Sequence, residues 1–277
     1  MGATLKLRME LFQQVRITHM GNDAAVFLPE ALCPLLAFLI IGRNRSHSRR
    51  EIVENLWQRD ADPALLHRLS NCLYRLRQAL EPTEQKTSSV LQAPSGQNVF
   101  IEANANLWID VAAFEETALQ VTSIPNDKLT VEDGQKLEDA IQLYTGDILP
   151  YCLDDWLVRE NDRLRGLKID CLEKLMALRA QQGWFTRALE AGHLILAEDP
   201  LREDIQYQIM ELHLAKGDRV NALRQYQACE KILKRELNIK PIREIQNIYR
   251  RILDGDQIHL TPITLKSPDI RRETTPS

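Results

Sequence analysis

The sequence predicts a mainly α-helical protein in two parts: a mixed α+β N-terminal segment of about 110 residues, then an all-α segment of paired helices. Three observations predict this. Before Asp110, short apolar alternations bracket a series of helix-capping signals. After it, almost every stretch has the helical period. Within that part, Gly183, Ala188 and Leu189 recur as Gly217, Ala222 and Leu223, each displaced by 34 residues.

The elements follow in order. Leu5, Leu7, Met9 and Leu11 alternate with polar residues, which predicts a strand over 5–16. Gly21-Asn22-Asp23 predicts a turn and Ala25–Leu28 a second strand, closed by Pro29. An apolar run over 34–41 predicts a helix with Pro34 in its first turn, where a missing N–H costs nothing. Ser48 followed by Glu51 is a capping box that opens a helix to about Gln58. Asp62-Pro63 opens a third helix, to Leu80, with Asp as N-cap and Pro at the first helical position. Val90-Leu91 and Val99–Ile101, around Pro94-Ser95-Gly96, predict a hairpin.

In the second part, Thr130 and Asp133 cap a helix through Tyr144, and Gly146 and Pro150 interrupt. Amphipathic stretches over 155–182, 184–197, 201–215, 218–236 and 241–253 follow. The 34-residue displacement is the tetratricopeptide period, with small residues where paired helices approach. Residues 254–277 carry no pattern and read as a tail. The expected division is therefore 1–110, 111–254 and 255–277.

Composition excludes several classes. With 44% hydrophobic and 27% charged residues, the chain buries real cores. No run of about 18 apolar residues exists, so no membrane span is expected. The N-terminus has no secretory pattern, and Lys6 stands where myristoylation needs Ser or Thr. Five cysteines, none at CxxC spacing, fit buried thiols in a reducing cytoplasm. The six histidines lack metal-ligand spacing, and neither a P-loop nor GxSxG is present. Asp154-Asp155 reads as a helix start rather than an acid–base pair. Neither catalysis nor a cofactor or metal is expected.

The third helix carries the functional signal. Leu66, Leu69, Leu73, Leu76 and Leu80 make one apolar stripe. The opposite face holds His67, Arg68, Asn71, Tyr74, Arg75 and Gln78, with Arg77 on the flank, and no acid occurs from Ala64 to Leu80. Solvated faces ordinarily mix Glu with Lys. Arg pairs bidentately with guanine, and Asn or Gln with adenine, in the major groove. Between Gly42 and Leu80, eight cations stand against four carboxylates, and every cation is Arg. The guanidinium fork suits phosphate, so Arg43, Arg45, Arg49 and Arg50 are the candidate phosphate contacts. The overall charge of −4 lies in the C-terminal half: residues 1–115 balance 12 basic against 12 acidic side chains. Two helices, the second basic on its outer face, then a hairpin, form the pattern of a winged helix-turn-helix on double-stranded DNA. Its wing tip would place Gln97 and Asn98 near the minor groove.

Further motifs carry a family resemblance. Glu54–Trp57 is similar to the end of the second helix in OmpR-like winged-helix domains, and Leu73–Leu80 to their recognition-helix ending. Trp108–Glu115, Tyr144–Pro150 with Asp155-Trp156, Asp199–Glu203, Gly217–Tyr226 and Leu233–Pro241 resemble successive motifs of the bacterial transcriptional activator domain. The sequence departs at Phe12 and at Gln97–Val99, and Asn238 stands for a helix-ending Gly. Asn also tolerates the left-handed conformation. The chain thus resembles a streptomycete antibiotic regulatory protein (SARP)-type regulator. That resemblance implies a cytoplasmic transcriptional activator that binds promoter direct repeats as side-by-side protomers, a homodimer on DNA. It also implies assistance to RNA polymerase through sigma and other subunits.

Two other readings stay open. The repeat is also a peptide-binding scaffold in many proteins, with DNA binding weak or lost. A regulator gated by a small molecule is the other, with Trp156, Trp184, Phe185 and Tyr207 either lining a cleft or forming core.

Overall fold

The computed structural model describes residues 7–19, 25–26, 28–81, 90–93, 98–102 and 107–254. The 21–23 turn, the wing tip at 94–97 with Gln97, and the 255–277 tail lie outside the described residues.

The chain forms two compact units, residues 1–119 with 139–168, and residues 120–138 with 169–277. In the first unit, β1 (Leu7–Glu10), β2 (Arg16–His19), β3 (Ala25–Val26) and β7 (Leu107–Ile109) form one sheet in the order β3-β2-β1-β7. β1 is antiparallel to β2, with Met9 opposite Ile17, and parallel to β7, with Met9 opposite Ile109. The continuous strand expected over 5–16 is thus two strands with a turn between them. Gln13 sits at φ 64° there, and the apolar alternation stops after Leu11. β7 was not legible, because three residues carry no period.

After a 3-10 turn at Glu30–Leu32 come α1 (Cys33–Ile41), β4 (His47–Ser48), α2 (Arg49–Trp57) and α3 (Pro63–Leu80). β5 (Leu91–Gln92) and β6 (Asn98–Ile101) form the hairpin, and β4 joins them in the order β4-β6-β5. α1 is apolar all round and buries Leu35 through Ile40, as a central core helix must. α4 (Asp110–Thr122) opens with Asp110, a buried carboxylate that accepts from the Leu11, Phe12 and Val111 amides at 2.8, 3.0 and 2.7 Å.

Residues 139–168 belong to this first unit, although the sequence placed them in the helical part. The reason is a shared aromatic core. Phe12 meets Phe114 edge-on at 5.7 Å and Tyr144 at 4.7 Å. Phe12 also bridges Ile148, and the Asn161 side chain clamps the Ile148 amide and carbonyl at 2.8 and 2.9 Å. Trp156 stands edge-on against Phe38 at 5.2 Å.

The second unit takes its helices from α5 (Val131–Leu143), α6 (Asp155–Gln181), α7 (Phe185–Glu198), α8 (Glu203–Ala215), α9 (Arg219–Glu236) and α10 (Arg243–Asp254). The 34-residue repeat appears here as two matching helix ends. Gly183 (φ 73°) and Gly217 (φ 79°) are left-handed. The amide after each reaches back five residues, Trp184 to the Arg179 carbonyl and Asp218 to the His213 carbonyl, both at 2.8 Å. The repeated Ala188 and Ala222 are fully buried. Gly192 lets α7 approach α8: a Cβ there would lie 2.9 Å from Ile209 Cγ1. α10 closes the array with Ile245, Ile248 and Ile252 against Tyr226, Cys229 and Leu233. Asn238 adopts φ 56°, the left-handed role expected of it.

Candidate nucleic-acid interface

The interface is built from α2, the turn after it, α3 and the hairpin. Ser48 Oγ accepts from the Glu51 amide at 3.1 Å, which starts α2. The Glu51 carboxylate does not complete the box; it turns to Arg45 at 2.7 Å and His47 at 3.3 Å. Gln58, at φ 50°, ends α2 in a left-handed cap. Asp62 accepts from the Leu65 amide at 2.7 Å and starts α3. Both helix starts and the 63–80 span are those the sequence predicts.

α3 divides as its period demands. Leu69, Leu73, Leu76 and Leu80 are buried, and Leu66 is half-buried. His67, Arg68, Asn71, Tyr74, Arg75 and Gln78 are all exposed. The face therefore presents two guanidiniums, two carboxamides, an imidazole and a phenol, with no carboxylate on the helix. The Arg68 guanidinium lies over the Trp57 ring at 4.8 Å, which holds it near one place while leaving its edge exposed. Tyr74 is 64% exposed.

Arg77 lies apart from the six exposed side chains. It turns away from the face and donates to the Leu91 carbonyl of β5 at 3.0 Å. Glu81 accepts from the Val90 and Leu91 amides, so the end of α3 and the hairpin are pinned at two points. A flank position leads inward here because the hairpin packs against the last turn of the helix.

The four candidate phosphate arginines separate as well. Arg43 is only 13% exposed at its side chain, pairs with Glu115 at 2.7 Å and donates to the Ile40 carbonyl. Arg49 donates to Ser70 Oγ at 2.7 Å, bridging α2 to α3. Each is held by a bond within the chain. Arg50 is exposed, and Arg45 is 62% exposed with Glu51 beside it. Asn98 is exposed and sits opposite Ser48 in register.

Sequence reasoning missed β4 and the buried His47, which ties the Gly42 carbonyl at 3.0 Å to Glu51. Arg59, exposed in the turn before α3, entered the charge count without a place in the site. The CPLLAFLII core and the histidine five residues beyond Gly42 were the available signals for the first of these.

The aromatic cleft has little support. Trp156 packs in the first unit, and Arg179 covers Trp184 at 4.6 Å. Tyr207 is half-buried, and burial beside Glu211 pushes its hydroxyl up to about 12. A cavity of about 380 Å³ in the second unit is lined instead by Asp170, Glu173, Lys174, Asp204 and other residues, none of them aromatic. Among the described residues, no group of three or more His, Cys, Asp or Glu could hold a metal ion. No described helix is long and apolar enough to cross a membrane.

With this geometry in hand, the sequence model of the bacterial transcriptional activator domain matches residues 109–253, more than half of the chain. The chain belongs to that family. The relatives agree on its kind. It is 24% identical over 250 residues to the regulatory protein AfsR of Streptomyces coelicolor, covering 90% of this chain and 24% of the relative. To AfsR of Streptomyces griseus it is 23% identical, covering 84% and 23%. The chain spans about a quarter of the length of these curated relatives. Its fold is that of Mycobacterium tuberculosis EmbR, solved in complex with a low-affinity phosphopeptide: TM-score 0.71, 20% identity, 93% of this chain and 67% of that one. The domain and these relatives are in keeping with the resemblance to SARP-type regulators carried by the motifs. Both curated relatives are named as regulatory proteins.

Proposed function

We propose that this SARP-type regulator is a sequence-specific DNA-binding transcriptional activator of the cytoplasm, and that α3 reads base edges in the major groove. The observation that carries this reading is the acid-free outer face of α3, all six of whose candidate side chains are exposed. Arg75 and Arg68 suit guanine, Asn71 and Gln78 suit adenine, and Tyr74 offers an apolar ring to a thymine methyl. Arg50 and Arg45 supply phosphate contacts from α2 and the loop before it, and Asn98 approaches the minor groove from the hairpin. The protein binds direct repeats at promoters as a homodimer assembled on DNA, and its partner in activation is RNA polymerase, through sigma and other subunits.

Selection from a random DNA library with the purified full chain tests the reading. The expected result is a motif repeated head to tail, with half-sites about one helical turn or slightly more apart. Failure to enrich any sequence would overturn it and leave the interaction scaffold as the better account.

A further inference from the structure

The cavity in the second unit has no part in DNA binding, and its wall keeps opposite charges apart. It lies among the end of α4, the loop at Asn126, α6 and α8, and holds about 380 Å³. That volume is at the small end of the range for small-molecule sites. Its whole wall belongs to one compact unit.

α6 supplies Asp170, Glu173 and Lys174, and the first turn of α8 supplies Asp204. Asp170 and Lys174 stand four residues apart, the spacing at which an acid and a following base ordinarily pair on a helix. Here they do not pair. Lys174 Nζ donates instead to the Ile124 carbonyl and to Asn126 Oδ1, the latter at 3.0 Å. Both acceptors are neutral, and an ammonium has a third N–H to give. Among the described residues, no ion pair is seen for Asp170 or Lys174. Burial holds the Lys174 amine below its ordinary value. Partial burial holds the Asp170 carboxyl above its own, with Arg202 opposing. Each charge therefore lacks a close opposite charge, although the two share one helix face.

The other two carboxylates are matched differently. Arg202 bridges Glu173 at 2.7 Å and Asp204 at 2.6 Å. Arg202 included, three carboxylates stand against two cations around the cavity. The net charge there is negative.

A matching ligand carries an anion for Lys174, a cation for Asp170 and a net positive charge. A metal ion brings no anion, and inorganic phosphate brings no cation. A polyamine would leave Lys174 facing like charge. An α-amino acid brings both charges on one carbon, and a basic side chain makes the net charge positive. We propose that the cavity binds a free basic α-amino acid. Its carboxylate accepts from Lys174, its α-ammonium donates to Asp170, and its cationic side chain lies along Glu173 and Asp204. Asn126 and Gln208, also in the wall, suit a polar ligand and not an apolar one. Binding ties the Asn126 loop, α6 and α8 to one molecule, so it stabilises the second unit.

Calorimetric titration of the full chain with L-arginine tests the site, with thermal unfolding as a second readout. The expected result is saturable binding and a raised unfolding temperature. L-Argininamide lacks the carboxylate, and Nα-acetyl-L-arginine lacks the ammonium. Each should bind about tenfold or more weakly than L-arginine, and L-glutamate more weakly still. Lys174→Gln keeps a donor for the Ile124 carbonyl and removes the charge. It should erase the preference for L-arginine over L-argininamide. Asp170→Asn, at an exposed position where folding is not at stake, should erase the preference over Nα-acetyl-L-arginine. No saturable binding of L-arginine overturns the proposal. Equal affinity for L-argininamide overturns it in favour of a plain amine site, and equal affinity for L-glutamate overturns the charge argument. The titration contains no DNA, so failure of the DNA-binding reading leaves its result standing.

Discussion

Arg75 and Arg77 lie two residues apart on α3 and have different tasks. Arg77 spans to the Leu91 carbonyl, so Arg77→Ala removes a part-buried charged hydrogen bond between α3 and the hairpin and should cost about 1–3 kcal/mol of stability. Its binding motif should stay that of the wild type; thermal unfolding and library selection read the two effects. The arginines before and at the start of α2 divide in the same way. Arg50→Ala should lower the slope of log affinity against log salt by about 0.9, as the loss of one phosphate contact does. Arg43→Ala should leave that slope unchanged, because its guanidinium is already paired with Glu115. A salt titration of the two variants separates them, and equal slopes in both would reject the assignment. What an exposed or buried arginine does was not legible from residue type. Arg43 and Arg50 look alike in sequence, and only Glu115, 72 residues away, tells them apart.

At the level of elements, local chemistry made the helices legible. Asp62 and Ser48 cap α3 and α2 because a short side-chain oxygen can reach a free amide three residues on, and that reach is written in the sequence. Asp62→Ala should therefore cost about 1 kcal/mol. The repeat was legible for a related reason: Gly183 and Gly217 end α6 and α8 in a left-handed conformation that other residues adopt at a cost. Gly217→Ala should destabilise the second unit by roughly 1 kcal/mol, although nothing lies within 4 Å of the added methyl. Chemical denaturation checks both, and a neutral Gly217→Ala would discard the strain argument. β4 and β7 were not legible, since two or three residues carry no period and pairing partners far along the chain define them. The single strand expected over 5–16 failed similarly: the break at Gln13 is imposed by Asp147 and Ile148, over 130 residues on.

Across the whole molecule, the physical units do not follow the sequence boundary at residue 110. Phe114, Tyr144, Ile148 and Asn161 complete the N-terminal core. A fragment ending at residue 110 should lack a cooperative unfolding transition, whereas one ending at 168 should show it; circular dichroism on heating distinguishes them. The second unit should respond to mild acid. Burial holds the His213 imidazole below its ordinary value despite Asp218 at 3.9 Å, with His193 and Lys216 adding in the same direction. Its stabilising contribution is present above the unfolded imidazole's value and is lost as pH falls through the lower folded one. His213→Gln should flatten that loss, measured as stability between neutral pH and pH 5. The central claim remains that the outer face of α3 reads base sequence. Its most direct test compares wild type with Arg75→Ala on the selected motif and on unrelated DNA at one fixed salt concentration. A base-reading role predicts a loss of about 1–3 kcal/mol on the motif and almost none on unrelated DNA; equal affinities for the motif, or equal losses on both DNAs, would contradict it.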